Sequence, residues 1–314
     1  MIRMYASRWI THGCSFFLLC SVSMAVHANS NLLQKQANAA LTLIAFSVTP
    51  DVTASNLSMN DHSSGKSDLI MTQLGGGATI SADTPIYLEG TIGFSRYDPE
   101  YVISEGATSQ TVPVKWNTFS ASGGIGWDFP VAKNWVIRPI ANLSLGTVAS
   151  DLRIADWFID RYAAREQDFL DNGRLNALGL GGSLMADYEL FSDEQDVDME
   201  FRYTLIELGS FGDTADVVKG HSTAENLSIY LRRRAPTGYK LLDRPLRYVM
   251  EGARTEYLGE QRGALGFDAL NSLGLGLELD SSKYDIIITR TRLVARYMFG
   301  QNTQGYSMGL AMSF

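Results

Sequence analysis

The sequence predicts an all-β fold, a transmembrane antiparallel up-and-down β-barrel of about twelve strands. Three observations support this prediction: apolar and polar residues alternate along the chain, the alternating segments are long, and short and long connections follow one another in turn. No stretch reaches the roughly 18 consecutive apolar residues that a membrane-spanning helix needs, so strands are left as the means of crossing.

The alternation is clearest at the end of the chain. One face carries Tyr306, Met308, Leu310, Met312 and Phe314, whereas the intervening residues are small or polar. The same period of two, which is typical of a strand with two different faces, recurs over 197–205, 273–279 and 287–299. A soluble β-sandwich would also alternate, so this observation alone leaves both folds open.

Strand length favours the membrane fold. The predicted strands cover 52–59, 67–80, 85–97, 113–129, 134–149, 174–191, 196–211, 223–234, 245–258, 267–279, 285–299 and 304–314. Most of these segments reach the roughly 9–11 residues that a tilted strand needs to cross a bilayer, whereas strands of globular proteins are mostly about five or six residues long.

The connections alternate in length. Short ones are predicted at 81–84, 130–133, 192–195, 235–244 and 280–284, and longer, more polar ones at 60–66, 98–112, 150–173, 212–222, 259–266 and 300–303. Outer-membrane barrels have short periplasmic turns and longer external loops. This order would place both chain ends in the periplasm.

Aromatic residues are expected to form two interfacial girdles. Trp127, Phe129, Trp135, Tyr188 and Phe191 lie beside short turns. Tyr97, Tyr101, Phe211 and Tyr257 lie toward the long-loop ends of their strands.

Residues 1–28 read as a secretory signal peptide. Arg3 and Arg8 give it a positive start, 14–26 is a short apolar core, and Ala28 ends a small-x-small cleavage site. Removing the segment takes two arginines from 26 basic residues and none from the 34 acidic ones, so the mature chain has a formal charge of −10. It would also contain no cysteine, and its negative charge argues against nucleic acid as a partner.

Residues 29–50 form a separate N-terminal segment before the predicted barrel domain, 51–314. Apolar residues recur at helical spacing over 31–48, and no Gly or Pro interrupts them before Pro50. A short helix in or near the lumen is predicted. The alternative is that Leu41–Val48 is itself the first strand.

The inward face of the barrel is expected to hold a charge network. Buried charges are costly unless they are paired, so arginines and carboxylates on the polar faces of the strands should meet across the lumen. The members are Glu89, Arg138, Glu200, Arg202, Arg232, Glu278, Arg290, Arg292 and Arg296. A hydrated, charge-lined pore is the open alternative.

An export signal, an N-terminal helix, about twelve amphipathic strands and a terminal Phe314 together resemble the translocator barrel of autotransporters. The resemblance covers about 31–314. Its most specific part is the last strand, because Tyr306, Met308, Leu310, Met312 and Phe314 match the pattern read by the outer-membrane insertion machinery. That machinery and outer-membrane lipid are therefore the implied partners. Few residues separate Ala28 from the barrel, so the chain is similar to solitary barrels that lack a passenger.

The loop 150–173 is the most distinctive external feature. Helix formers dominate it, and four aromatic side chains are costly to expose: Trp157, Phe158, Tyr162 and Phe169. A short helix that caps the barrel mouth is favoured, with a recognition surface as the alternative.

No catalytic residue, metal site or cofactor is predicted. The mature chain has two histidines, His62 beside Asp61 and His221 near Asp213 and Asp216, all in predicted external loops. Such pairs are common by chance, and no Gly-x-Ser-x-Gly nucleophile motif is present.

Three functions therefore remain. The first is a structural or plugged outer-membrane barrel without a passenger, the second a narrow pore for small solutes, and the third a surface enzyme or adhesin.

Overall fold

A computed structural model describes residues 41–46, 48, 56–61, 67–98, 100–105, 108–113, 116–150, 174–212, 220–264, 266–281, 290–301 and 303–313. The strands are β1 (Asn56–Asp61), β2 (Ser67–Thr79), β3 (Ile86–Asp98), β4 (Glu100–Glu105), β5 (Thr108–Pro113), β6 (Trp116–Trp127), β7 (Phe129–Ala132), β8 (Trp135–Ser150), β9 (Arg174–Phe191), β10 (Asp196–Phe211), β11 (His221–Leu241), β12 (Arg244–Tyr257), β13 (Ala269–Asp280), β14 (Arg290–Gly300) and β15 (Thr303–Ser313). A 3₁₀ turn covers Gly259–Gln261. No helix in this described part is long and apolar enough to cross a membrane.

Twelve of these strands close into one antiparallel ring. Their order is β1, β2, β3, β6, β8, β9, β10, β11, β12, β13, β14 and β15, and β15 pairs again with β1 at Ser58↔Tyr306. The pairing of β6 with β8 joins the two halves of the sheet, and β7 continues β6 along β8. A closed sheet pairs its backbone groups internally, which is the requirement inside hydrocarbon. The predicted antiparallel barrel of about twelve strands is confirmed.

The described strands depart from prediction most clearly at three places. β11 extends to Leu241, the expected turn 130–133 contains most of β7, and the expected loop 98–112 contains the two-stranded hairpin of β4 and β5. In the β11–β12 hairpin the whole turn is Leu242 and Asp243, both with positive φ. Leucine is rarely found in this backbone region, so no sequence signal marked a two-residue turn there.

The two faces of the wall have opposite chemistry. Large apolar side chains are exposed on the outer face, among them Leu88, Ile92, Leu143, Leu180, Leu231, Leu275 and Leu293. Their strand neighbours on the inner face are buried and largely polar, among them Ser144, Ser183, Arg202, Thr204, Glu251, Glu278 and Arg296. Leu275 is 67% exposed and Glu278 is 1% exposed. The apolar surface therefore faces outward, where a bilayer would lie.

The girdle of aromatics at the short-turn end lies on this outer face. Trp127, Phe129 and Phe191 are exposed there, and the rings of Trp135 and Tyr188 pack 5.1 Å apart. The girdle expected at the long-loop end is wrong for two residues, because Tyr97 and Tyr257 pack inside the barrel in an apolar cluster. Tyr97 and Tyr257 each lie at an inward position of their strand. Phe46, from a helix inside the barrel, adds apolar contacts to the cluster.

Candidate functional site

The lumen is the candidate site, and its two halves differ. The half toward the long loops is filled by apolar side chains, and the half toward the short turns is filled by paired charges.

A helix occupies the long-loop half of the lumen. We call residues 41–46 and 48, which have helical backbone, the lumen helix. Leu41, Ile44, Ala45 and Val48 follow the i, i+3, i+4, i+7 spacing of one helical face and are completely buried. Residues 41–46 and 48 therefore do not form the first strand.

The lumen helix contacts strands on opposite sides of the barrel. One apolar cluster joins its main face to β8–β11 through Val148, Leu175, Ala177, Ile206, Leu208 and Ala224. A second cluster joins Phe46 to Met71, Tyr257, Phe267, Leu270 and Met298. The Phe46 ring lies 4.8 Å from the ring of Tyr257, centroid to centroid. The helix therefore bridges the lumen instead of lying along one wall.

Gly146 of β8 makes room for this helix. A β-carbon at Gly146 would collide with the Cγ2 atom of Ile44, and its next neighbours would be Cδ1 and Cγ1 of Ile44 at 3.3 Å. The helix and the wall thus approach as closely as a glycine allows. Thr42 Oγ1 also lies 3.3 Å from Ser222 Oγ, a hydrogen bond between the helix and β11.

An ion pair crosses the middle of the lumen. Arg202 on β10 donates two hydrogen bonds to Glu89 on β3, at 2.7 Å to Oε2 and 2.6 Å to Oε1. The two strands are four steps apart around the ring, so the contact spans the interior. Asn142 also donates to Glu89 at 2.7 Å.

Further hydrogen bonds hold this crossing pair. Arg202 donates to Ser183 at 2.9 Å and to Thr204 at 3.1 Å, and Ser183 donates to Asn142 at 2.8 Å. A β-carbon at Gly124 would lie 2.6 Å from Asn142 Nδ2 and 2.7 Å from Glu89 Oε1, so glycine leaves space for the group. Glu200 lies on the same inward face of β10 as Arg202, two residues before it.

Arg138 on β8 forms a second group nearer the short turns. Its guanidinium donates to both carboxylate oxygens of Asp128, at 2.5 and 3.1 Å, and to Asp187 on β9 at 3.0 Å. The Tyr87 ring lies under it, 4.0 Å from the guanidinium carbon. Planar stacking and a two-pronged ion pair are arginine-specific contacts.

A third group covers the inner faces of β10–β14. Arg232 donates to Asp198 at 2.8 Å, and Arg296 donates to Glu251 at 2.7 Å. Arg292 lies 3.5 Å from Glu278. Arg290 lies 3.7 Å from Asp196, which is again four strands away around the ring.

The structure places every predicted lumen charge on the inner face and gathers these residues into the three groups above. Sequence reasoning missed several partners: Asp128, Asp187, Asp196, Arg234, Arg247 and Glu251. Asp196 and Arg234 continue the inward parity of Glu200 and Arg232 and lie within the predicted strands 196–211 and 223–234, so the alternation alone could have found them. Asp128 also lies within a predicted strand, 113–129, although the structure places it between β6 and β7.

Other predicted sites are placed only in part. In β15, Tyr306 and Met308 face outward and are exposed, whereas Leu310 and Met312 are described in backbone only, and Phe314 lies outside the described residues. The whole loop cap of Trp157, Phe158, Tyr162 and Phe169 also lies outside them.

The histidine positions form no described site. His221 is exposed at the start of β11, while His62, Asp213 and Asp216 lie outside the described residues. Among the residues that the structure describes, no group of three or more His, Cys, Asp and Glu side chains could hold a metal ion.

Comparison with known proteins gives one family match. Residues 48–151 match the family model described as the autotransporter β-domain. No curated protein matches the chain.

Solved structures with similar folds include three autotransporter barrels. The β-domain of BrkA from Bordetella is 13% identical, covers 82% of this chain and 96% of its own, and has a TM-score of 0.47. The translocator domain of NalP from Neisseria meningitidis is 12% identical, with coverages of 93% and 98% and a TM-score of 0.40. The transport unit of AIDA-I from Escherichia coli is 12% identical, with coverages of 90% and 99% and a TM-score of 0.41.

The family match lies on the first strands of the ring, and the remaining strands close the same barrel with an apolar outer face. The chain is therefore a closed antiparallel β-barrel whose residues 48–151 match the autotransporter β-domain family.

Proposed function

We propose that this chain is an occluded outer-membrane barrel that acts without a passenger, as a structural membrane protein whose external loops are available for interaction. The main observation that supports an occluded barrel is the lumen helix, which contacts β8–β11 on one side and β2 and β12–β14 on the other. The Arg202–Glu89 pair supports the same reading in the next layer of the lumen.

The two layers oppose conduction by different means. Around the helix, the lumen is lined by apolar side chains that exclude water. Nearer the short turns, buried arginines and carboxylates are already engaged with one another, and separating them would leave uncompensated charge at a cost of about 3–5 kcal/mol for each pair.

The close packing of the lumen helix against β8 supports the absence of a passenger. A passenger chain in transit would need the space that Ile44 occupies against Gly146. We propose further that residues 1–28 are removed on export and that Phe314 and the outward face of β15 are recognised by the barrel insertion machinery.

Conductance in planar bilayers tests the occlusion. The native barrel should be silent, and the variant Leu41→Ser/Ile44→Ser, which removes two apolar contacts of the helix, should give steady ohmic currents. Leu41→Met/Ile44→Val is the matched control, because it changes the same two positions but keeps them apolar. Ohmic current through the native protein would overturn the proposal.

The second candidate is a narrow pore for small solutes. The observation in its favour is that two lumen atoms make only long ion-pair contacts. Arg292 Nε lies 3.8 Å from Glu251 and Glu278 Oε1 lies 4.0 Å from Arg247, and neither atom has a hydrogen-bond partner among the described residues. Such groups could bind passing ions. Native currents that change with Arg292→Gln would establish the pore.

The absence of a passenger has its own test, the intact mass of the protein extracted from outer membranes. The proposal expects a membrane-bound product that begins at residue 29 and carries no passenger domain. A larger product, or a separate secreted fragment of the same gene product, would contradict it.

A further inference from the structure

The outer face of the barrel carries a groove near the short turns. Its volume is about 580 Å³, and it is lined mainly by Ile86, Ile125, Trp127, Pro139 and Ala141. Ile125 and Trp127 are 57% and 46% exposed, so the groove opens away from the lumen. It lies on the surface that faces the bilayer.

A break in the backbone ladder coincides with this groove. Residue pairs between the first part of the hairpin and β8 stop at Gly126↔Ile140 and resume at Phe129↔Ile137. Pro139 has no N–H to donate, and the Asp128 N–H donates instead to Pro85 O at 2.8 Å. The pairing of β8 with β6 and β7 is therefore interrupted at this point.

Small residues keep the groove deep. Ala141 pairs with Ile125 on one side and with Gly182 on the other. Ala141 has only a methyl side chain and Gly182 has none, so neither residue fills the space beside the large side chains of Ile125 and Trp127. Unfilled apolar space loses dispersion contacts on its lining, so a flexible hydrocarbon chain from the membrane is the natural occupant.

A cation stands at the right distance to bind the polar end of such a molecule. Lys133 is exposed in the turn between β7 and β8, and Phe129 and Val131 form an exposed apolar track from the groove toward it. Four strand steps lead from Pro139 to Trp135, about 13 Å at 3.3 Å per residue, and Lys133 lies just beyond Trp135 in the turn. At a strand tilt of about 40° these steps span about 10 Å along the membrane normal. This is within half of the hydrocarbon core, which measures about 15 Å.

We propose that the groove binds one acyl chain of an anionic phosphoglycerolipid of the periplasmic leaflet, with the lipid phosphate paired to the Lys133 ammonium. The chain fills the space beside Pro139 and covers the break in the ladder. The site is independent of the lumen and of whether the barrel conducts.

Native mass spectrometry of the detergent-solubilised full barrel, titrated with phosphatidylglycerol, tests the site. The native protein should retain one phosphatidylglycerol in preference to phosphatidylethanolamine. Ala141→Leu should weaken retention about tenfold, the equivalent of two methylene groups no longer buried. Lys133→Gln should abolish the preference for the anionic lipid while some retention remains.

Two matched variants serve as controls. Ala295→Leu makes the same change on the outer face of β14, and Lys240→Gln removes a lysine from the β11–β12 hairpin. Both should retain phosphatidylglycerol as the native protein does, and all variants should show the gel shift of a folded barrel on boiling. Equal retention by Ala141→Leu and the native protein would overturn the proposal, as would a dimer that forms through this face in place of lipid binding.

Discussion

The guanidinium of Arg202 on β10 and the carboxylate of Glu89 on β3 meet across the barrel interior, with both hydrogen bonds at 2.6–2.7 Å. The two residues are 113 positions apart in sequence and four strands apart in the ring. Both side chains are 4% exposed. The pair therefore ties together two parts of the wall that are a third of the ring apart.

Removing one partner of this pair should destabilise the barrel strongly. Arg202→Met leaves Glu89 buried without its counter-charge, so the free energy of unfolding should fall by about 3–5 kcal/mol. The double variant Glu89→Gln/Arg202→Met should recover much of that loss, because no charge is then left unpaired. Urea unfolding in detergent micelles measures both values.

The exposed pair of Arg254 and Glu256 is the control for this experiment. Its atoms also lie 2.9 Å apart, but the side chains are 51% and 41% exposed. Arg254→Met should change the unfolding free energy by less than about 1 kcal/mol. Equal effects at Arg202 and Arg254 would contradict the importance of the crossing pair.

The packing of the lumen helix against β8 can be tested at Gly146. Gly146→Ala places a methyl group against Ile44, and overpacking of this kind should cost about 1–3 kcal/mol of unfolding free energy. Gly209→Ala is the control, because a β-carbon there meets nothing within 4 Å. If Gly146→Ala unfolds at the same urea concentration as the control, the helix does not pack as described.

Arg138 should not tolerate replacement by lysine. Arg138→Lys keeps the charge but loses the two-pronged contact with Asp128 and the stacking on Tyr87. We expect a lower urea midpoint, whereas Arg233→Lys on the outer face, where Arg233 is exposed, should have little effect. Equal midpoints for the two variants would show that charge alone is enough at Arg138.

The end of the chain should govern assembly. Phe314→Ser removes the terminal aromatic of the predicted insertion signal, so the yield of folded barrel in the outer membrane should fall. Ser313→Ala leaves the signal intact and serves as the control. The heat-modifiable fraction on a gel measures the yield, and an unchanged fraction for Phe314→Ser would remove Phe314 from the recognition signal.

Local periodicity is the reason that much of the fold was predictable. A period of two identifies each strand and its polar face, and this assigned Glu89, Arg202 and Arg296 to the interior without any knowledge of their partners. Pairing across the lumen was not predictable. It depends on which strands face one another in the closed ring, and sequence spacing does not encode that relation.

Other features could not be predicted from the alternation of apolar and polar residues. The inward direction of Tyr97 and Tyr257 follows from the apolar helix that fills the long-loop half of the lumen, so a girdle assigned by strand position alone was wrong for them. The turn at Leu242 and Asp243 contains no Gly or Asn to mark it.

The orientation of the wall can be tested through charge on its outer face. Leu275→Arg should lower the unfolding free energy by about 2–4 kcal/mol, because an arginine near the bilayer midplane must leave water. Leu242→Arg at the tip of the β11–β12 hairpin is the control and should be nearly neutral. Equal effects would indicate that Leu275 does not face lipid.

Spin labels at Leu143, Leu275 and Leu293 in reconstituted bilayers report which face of the wall meets lipid, by their collision rates with oxygen and with a water-soluble nickel chelate. The barrel described here predicts frequent collisions with oxygen and few with nickel at all three positions, whereas a label at Asp243 should collide with nickel. Labels at the three leucines that are shielded from both reagents, as in the dry core of a soluble fold, would contradict it.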